Sequence, residues 1–227
     1  MKLLLLGAGK TGSLVAESAR ERGHQVETLR SADNPRSSAL TPDRLAPIDV
    51  VIDFTTPVCV LDHIRASVEA GKNMVVGTTG WYDQIPGIRG QVEARQTGLV
   101  FGSNFSIGVN LFFDLVRAMR PALERAYFPQ IYERHHVHKK DAPSGTASTI
   151  QRILEEHAGL PVEITSFREG EVVGMHEVVL DSPVDTIYVC HDAKSRRGFA
   201  EGAVRAAEWI AGRKGFFEFR DVWREMK

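Results

Sequence analysis

The chain has 227 residues, 43% hydrophobic and 25% charged, enough for one large domain or two modest ones with real cores. A formal net charge of −1 excludes the basic footprint of a nucleic-acid binder and the acidic tail of a solvating segment. The two cysteines, Cys59 and Cys190, stand far apart in no metal-like spacing, which points to buried thiols in a reducing, cytoplasmic setting rather than to a disulfide framework.

Residues 2–6 read as a short apolar strand. Four leucines before Gly7 are too few for a signal-peptide core or a membrane span, so a soluble protein is expected. The run Gly7-Ala8-Gly9-Lys10-Thr11-Gly12 follows at once, and after it an amphipathic helix with Leu14, Val15, Ser18 and Ala19 on one side. A strand, three glycines at this spacing and a helix meet the context required of a dinucleotide-binding turn. Gly7 permits the tight turn, Gly9 lets the backbone approach a pyrophosphate, and Gly12 lets helix and strand pack closely.

A second strand over residues 25–29 ends at Arg30-Ser31, with Asp33 just beyond, where such a fold presents the adenine ribose. An acid there selects the 2′-hydroxyl of NADH, and an arginine accommodates the 2′-phosphate of NADPH. Arg30 therefore predicts that NADPH is used at least as well as NADH. Residues 34–47, rich in Ser, Pro and Asp, read as a loop with at most a brief helix. The apolar run 48–54 has the character of a strand covered on both faces. A helix with Leu61, Ile64 and Val68 follows and ends at Gly71. Strand 73–76 leads to Gly77-Thr78-Thr79-Gly80, helix 81–95 follows, and strand 99–101 leads to Gly102-Ser103-Asn104-Phe105-Ser106. This alternation specifies a doubly wound parallel sheet, whose ligands gather in the loops after the strands.

Past Gly108 the rhythm changes. A helix with Val109, Phe112, Phe113, Val116 and Met119 on one face stops near Pro121. A strand over 130–134 opens the densest stretch of the chain, Glu133-Arg134-His135-His136-Val137-His138-Lys139-Lys140-Asp141-Ala142-Pro143-Ser144-Gly145-Thr146-Ala147. Residues 135–140 hold three histidines and two lysines, a density of titrating charge that no fold requires. The Pro-Ser-Gly-Thr turn then opens a helix, whose first N–H groups and dipole form an anion seat. Cationic proton donors beside an anion seat point to a carboxylate-bearing substrate that is protonated during reaction. A metal site is disfavoured, since adjacent His135 and His136 point to opposite faces of an extended segment and the lysines repel a dication.

A helix through Ile150, Ile153 and Leu154 and three strand-like segments over 162–167, 172–180 and 186–190 give a mixed or antiparallel sheet. A terminal helix with Phe199, Ala203, Ala206, Ala207 and Ile210 on one face is expected to pack back on the first domain. The predicted fold is thus a Rossmann-type α/β domain, residues 1–105 and 200–227, with a smaller α+β domain over 106–199 for substrate binding and oligomerisation. Two chain crossings form a hinge whose closure would exclude water.

The stretch 133–147 closely resembles the signature of the 4-hydroxy-tetrahydrodipicolinate (dihydrodipicolinate) reductases of bacterial lysine biosynthesis. The resemblance runs through the glycine loop, Asp53-Phe54-Thr55, Gly77-Thr78-Thr79-Gly80, Asn104-Phe105-Ser106, Gly174-Met175-His176, Ser195-Arg196 and Phe199-Ala200-Glu201-Gly202-Ala203-Val204-Arg205. It implies reduction of a cyclic imine with two carboxylates by hydride from NADH or NADPH. Hydride adds at the far end of a conjugated system and leaves an enamine that needs a proton. By position, His135 resembles the catalytic proton donor, Lys139 the second catalytic cation, His136 a substrate contact, and Ser144, Gly145 and Thr146 the seat of a substrate carboxylate. Cofactor contacts are implied at Gly7, Ala8, Gly9, Lys10, Thr11, Gly12, Arg30, Gly77, Thr78, Thr79, Ser103, Asn104, Phe105 and Arg196. Phe105 reads equally as a packing residue, and Arg196 as a surface one. The resemblance implies a homotetramer, and the cytoplasmic setting without a metal is the reading of the residues themselves. The segment between Arg168-Glu169-Gly170 and Val172-Val173-Gly174-Met175-His176 is shorter than the family pattern, in the domain whose sheets associate in that tetramer.

Two other classes fit the first half alone. An amino-acid dehydrogenase acting on an acyclic imine shares the architecture, but the paired histidines, Lys139 and the Ser-Gly-Thr seat favour a diacid ring. A non-catalytic dinucleotide-sensing module leaves the His-Lys cluster without a purpose.

Overall fold

The computed structural model describes all residues, Met1–Lys227. The chain divides into two units, residues 1–107 with 197–227, and residues 108–196. The first holds β1 (Lys2–Leu6), α1 (Lys10–Glu21), β2 (Gln25–Leu29), α2 (Pro42–Leu45), β3 (Val50–Asp53), α3 (Val60–Glu69), β4 (Asn73–Val76), α4 (Ile85–Ala94) and β5 (Gly98–Phe101). Helix α5 (Ile107–Ala118) opens the second, followed by α6 (Arg120–Leu123), β6 (Phe128–His135), α7 (Gly145–Ala158), β7 (Ile164–Arg168), β8 (Met175–Asp181) and β9 (Thr186–Asp192). Then α8 (Arg197–Ile210), β10 (Gly215–Glu218) and α9 (Phe219–Val222) return to the first.

The larger sheet has the order β10-β5-β4-β3-β1-β2, with every pair parallel. Its central strands are apolar on both faces because both faces are covered. Leu3, Leu5, Val50 and Ile52 point to one side, against Val15, Ala16 and Ala19 of α1 and the alanine-rich face of α8. Leu4, Leu6, Val51, Met74 and Val76 point to the other, against Val60, Ile64 and Val68 of α3 and Ile88 and Val92 of α4. The strand period of two splits each run between two helical layers, which makes the sheet doubly wound. β1 lies between β2 and β3, so the strand order reverses there and a crevice opens at the carboxyl ends of β1 and β3.

The smaller sheet has the order β7-β6-β8-β9 and is mixed: β6 runs parallel to β7 and antiparallel to β8, and β8 antiparallel to β9. One face, through Ile131, Val178 and Leu180, packs on Val109, Phe112, Phe113 and Val116 of α5 and Ile150, Ile153 and Leu154 of α7. Phe128, Phe167, Ile187 and Tyr188 of this sheet's strands are exposed.

The mixed sheet and the doubly wound sheet agree with the sequence reading. β10, however, was not read as a strand: Phe216-Phe217 pairs with Leu99-Val100 and closes one edge of the parallel sheet. Pro121 does not simply end α5, which stops at Ala118, but sits in the first turn of α6, where its missing N–H has no intrahelical acceptor to lose. β8 begins at Met175, three residues later than expected, because residues 170–174 form the turn that brings it beside β6.

Candidate active site

Strand β6 alternates, with Ile131, Glu133 and His135 buried and Gln130, Tyr132 and Arg134 on the opposite face. Glu133 and His135 therefore share a face, and the register of β8 sets His176 opposite Glu133. Glu133 is 0% exposed, a placement that a carboxylate tolerates only with partners. Its Oε1 accepts hydrogen bonds from the Ser144 N–H at 3.1 Å, the Ser166 hydroxyl at 2.6 Å and the Arg168 guanidinium at 2.9 Å. Burial pushes its pKa up, but these donors outweigh burial and hold it at about 2. Its Oε2 faces His135 Nδ1 at 3.1 Å and His176 Nε2 at 3.9 Å, as ion-pair contacts rather than aligned hydrogen bonds.

His135 is the last residue of β6, and burial first of all lowers its pKa; Glu133 opposes that shift while Lys139 and Arg168 add to it. Its Nδ1 is enclosed beside Glu133. A Cβ at Gly174 would stand 3.0 Å from Nε2, so glycine there leaves this second nitrogen uncovered. The His176 ring stands edge-on to His135 at 5.2 Å and meets the Ser144 hydroxyl through Nε2 at 3.0 Å. Burial, followed by His135, lowers His176 to about 4.

Ser144 caps α7 through its hydroxyl, which accepts from the Ala147 N–H at 3.2 Å. The first-turn N–H groups of Gly145 and Thr146 have no intrahelical acceptor, and no atom lies within 4 Å of where a Gly145 side chain would start. Gly145 is exposed at this helix start. The Lys139 ammonium donates to both oxygens of Asp141 at 2.8 Å, so that position already holds a carboxylate. His136 lies just past the strand, where its Nε2 accepts from the Arg196 guanidinium at 3.0 Å. The structure thus groups His135, Lys139, His136, Ser144, Gly145, Thr146 and Arg196 in one unit, within the stretch from β6 to α7 and the end of that unit.

Glu133, Ser166, Arg168 and His176 received no site role from sequence reasoning. The signal for Glu133 was present, since two residues along a strand share a face. His176 stands in the Gly174-Met175-His176 motif of the resemblance but with no role attached, no local pattern marks Ser166 or Arg168, and all three reach the site through strand register. Glu133, His135 and His176 also bring ligand-type atoms within 4.8 Å of one another. Arg168, bonded to Glu133, and Lys139, which bears on His135, oppose a dication there.

Protons link this cluster to stability. His176 moves from an ordinary 6.5 to about 4, and Glu133 from 4.5 to about 2. Both folded values are depressed, so each contribution is present above the unfolded pKa and is lost as pH falls through the folded one. The melting temperature should therefore fall between pH 6.5 and 4 and further below pH 4.5. His176→Gln should reduce the fall in the upper window, to which His135 and His191 also contribute, and leave the lower window in place. A melting temperature constant across it in the unsubstituted protein would refute the assignment.

The other expected residues lie along the crevice of the larger sheet. Gly7 has φ +98°, and a Cβ there would stand 2.2 Å from the Phe54 carbonyl oxygen; a Cβ at Gly12 would stand 2.2 Å from the Gly7 oxygen. Both are pressed against backbone at the strand reversal. Gly9, the N-cap of α1, has nothing within 4 Å, and Ala8 and Lys10 are exposed. An open, acid-free helix start beside a tight turn fits a pyrophosphate. Gly12→Ala should cost roughly 1–3 kcal/mol of stability by overpacking and weaken dinucleotide binding, both readable from melting curves with and without NADPH.

Arg30 is exposed at the end of β2, and Thr79 and Ser103 are exposed after β4 and β5. Gly77 lies flat against the Phe54 ring, and the Asn104 side chain accepts from the Ser106 N–H at 2.9 Å. Thr78 turns its hydroxyl inward to Asp53, and Phe105 is 2% exposed with its ring 4.6 Å from that of Phe219. The side chains of these two residues thus serve packing and internal bonding.

Residues 1–105 match the family description "Dihydrodipicolinate reductase, N-terminus", and residues 108–223 match "Dihydrodipicolinate reductase, C-terminus". The chain belongs to the dihydrodipicolinate reductase family. A 4-hydroxy-tetrahydrodipicolinate reductase of Christiangramia forsetii is 36% identical over 241 aligned positions, covering 100% of this chain and 99% of the relative. One of Neisseria meningitidis is 37% identical over 198 positions, covering 78% and 73%. Among solved structures, a dipicolinate-bound dihydrodipicolinate reductase of Paenisporosarcina sp. TG-14 superposes with a TM-score of 0.78 at 19% identity, over 98% of this chain and 99% of the other, a likeness of fold. Membership in this reductase family carries with it a dinucleotide-binding amino-terminal half and NAD(P)H-dependent oxidoreductase chemistry. No helix is long and apolar enough to cross a membrane.

Proposed function

We propose that this member of the family reduces 4-hydroxy-tetrahydrodipicolinate to tetrahydrodipicolinate in diaminopimelate and lysine biosynthesis, in the cytoplasm. The observation that carries the reading is the convergence of His135, its Glu133 partner, Lys139 and the open start of α7 in a chain of this family. Reduced nicotinamide, when bound, supplies the hydride. Gly7, Ala8, Gly9, Lys10, Thr11 and Gly12 hold the pyrophosphate, Arg30 the adenosine end, and the loops through Gly77, Thr78, Thr79, Ser103, Asn104 and Phe105 the rest.

His135 gives the proton that the reduced ring needs. Its lowered proton affinity makes its imidazolium a stronger acid, and the two substrate carboxylates bring the negative charge that loads it. Lys139 exchanges Asp141 for a substrate carboxylate, and the N–H groups of Gly145 and Thr146 with the Ser144 cap seat the other. His136, held by Arg196, contacts the ring, and the family resemblance supports Arg196 as a cofactor contact. Arg30 supports use of NADPH at least as well as NADH. The exposed face bearing Tyr132, Phe167 and Tyr188 supports association of sheets into a homotetramer, which light scattering on the purified protein tests.

The deciding assay supplies enzymatically generated 4-hydroxy-tetrahydrodipicolinate and follows NADPH and NADH absorbance in parallel. Substrate-dependent oxidation, abolished in His135→Gln and competed by pyridine-2,6-dicarboxylate, is the expected result. Dinucleotide binding without oxidation of either cofactor would replace the reading with that of a sensing module or another imine substrate.

A further inference from the structure

The larger sheet contains a buried polar chain that the chemistry above does not use. Asp53, the last residue of β3, is 0% exposed, His63 of α3 is 2% exposed and Asn34, on the loop after β2, is 5% exposed. The Ala39 N–H donates to Asn34 Oδ1 at 3.0 Å, which sets the orientation of that amide and turns Nδ2 toward His63 Nε2 at 3.1 Å. An amide N–H only donates, so His63 Nε2 accepts and the imidazole is neutral, with its proton on Nδ1. That proton goes to Asp53 Oδ2 at 2.6 Å. Asp53 Oδ1 in turn accepts from the Thr78 hydroxyl at 2.5 Å and the Thr55 hydroxyl at 2.8 Å, and the Thr55 N–H donates to Thr78 Oγ1 at 2.7 Å. Donors and acceptors alternate without conflict from Ala39 to Thr55. The chain thereby ties together the loops after β2, β3 and β4, all at the carboxyl edge of the sheet.

The loop after β2 needs such a tie. Residues 30–33, 35, 36 and 38 are exposed, and Asn34 is the only buried residue of 30–39. Arg36 and Ser37 are consecutive non-glycine residues with φ +51° and +62°, a conformation that surrounding bonds must impose. Those bonds come from the Asn34 amide to Ala39 and from the Asn34 carbonyl oxygen, which accepts the Ser37 N–H at 3.3 Å.

We propose that Asn34, His63 and Asp53 are positioning residues that hold the loop after β2 in the shape that receives the adenosine 2′-phosphate, and so set discrimination between NADPH and NADH. The proposal rests on the reading that this loop carries the adenine ribose. Release of Asn34 frees the Arg30–Ala39 segment without touching the imine chemistry, so the cofactor constants change and turnover does not.

The test titrates NADPH and NADH by nicotinamide fluorescence into Asn34→Ala, His63→Gln and Arg30→Ala, with kcat at saturating cofactor and melting curves alongside. Asn34→Ala should weaken NADPH about tenfold and NADH by less than about threefold, with kcat within about twofold. His63→Gln should keep the preference, because its amide offers Asp53 a donor and Asn34 an acceptor. Equal weakening of both cofactors by Asn34→Ala, or an unchanged ratio, overturns the proposal. If Arg30→Ala loses the preference and Asn34→Ala keeps it, the relay falls and the ribose reading stands. The reverse pattern keeps the relay and moves the phosphate contact to another loop residue. Imidazole ¹⁵N shifts of the unsubstituted protein provide a check that needs no variant to fold: His63 should be neutral with the proton on Nδ1, and an Nε2–H tautomer or an imidazolium overturns the proposal.

Discussion

His135→Gln should lower kcat on the cyclic imine by about a hundredfold or more while the dissociation constant for NADPH stays within about twofold. Glutamine retains a hydrogen-bonding group but cannot release a proton near neutral pH, so the enamine left by hydride addition is stranded. Lys139→Ala should lower kcat/KM by a similar factor, through loss of the ammonium that meets a carboxylate in this structure at 2.8 Å. The two variants differ in where the loss appears. Removal of a proton donor acts on kcat, whereas removal of a carboxylate ligand also raises KM. Steady-state kinetics with varied imine, beside cofactor titration, separates them. Near-normal turnover in both would overturn the site assignment.

Glu133→Ala should give the largest loss of stability among the site variants. Glu133 Oε1 serves the Ser144 N–H, the Ser166 hydroxyl and the Arg168 guanidinium together, and truncation removes the shared acceptor of the buried Ser144 N–H and the only carboxylate paired with half-buried Arg168, which keeps the Phe167 and Asp141 carbonyls. Breaking a fully buried ion pair costs about 3–5 kcal/mol, an upper bound for half-buried Arg168, and a chain of this size loses roughly 2–4 °C per kcal/mol, so melting should fall by up to about 10 °C. Activity should fall as well, because the same carboxylate faces His135 Nδ1 and anchors the start of α7. Combined Glu133→Ala and Arg168→Met should recover part of the stability, since the stranded cation is then removed too, but none of the activity. Calorimetry that shows no difference between the single and double variants would mean that the buried charge is not what Glu133 compensates.

The parallel sheet was legible because its cause is local. Runs such as Leu3-Leu4-Leu5-Leu6 and Val50-Val51-Ile52 are apolar on both strand faces, which only a sheet covered on both sides accommodates. The start of α7 at the Pro-Ser-Gly-Thr turn was legible for the same reason, since a proline and small polar residues before a periodic apolar run mark a helix start. β10 was not, because four residues after a helix carry too little pattern to declare a strand, and pairing with β5 decides it. Phe105 shows the opposite limit. Its place at a strand end allowed a pocket wall or a core residue, and the packing of α8 and α9 around it chose the core.

By itself, the sequence determined the alternation of strands and helices, the glycine turn at β1 and the crowding of His135, His136, Lys139 and the Ser-Gly-Thr turn into one short segment. Each follows from side-chain period, backbone allowance or charge within a dozen residues, and these are properties a chain carries before it folds. Only the tertiary structure decided which groups set the proton affinity of that segment. Glu133 meets Ser166 and Arg168 through β7 and His176 through β8, at sequence separations of 33, 35 and 43 residues. Strand register makes those contacts, and burial then turns a shared carboxylate into a strong electrostatic partner, because the water that would screen it has been removed.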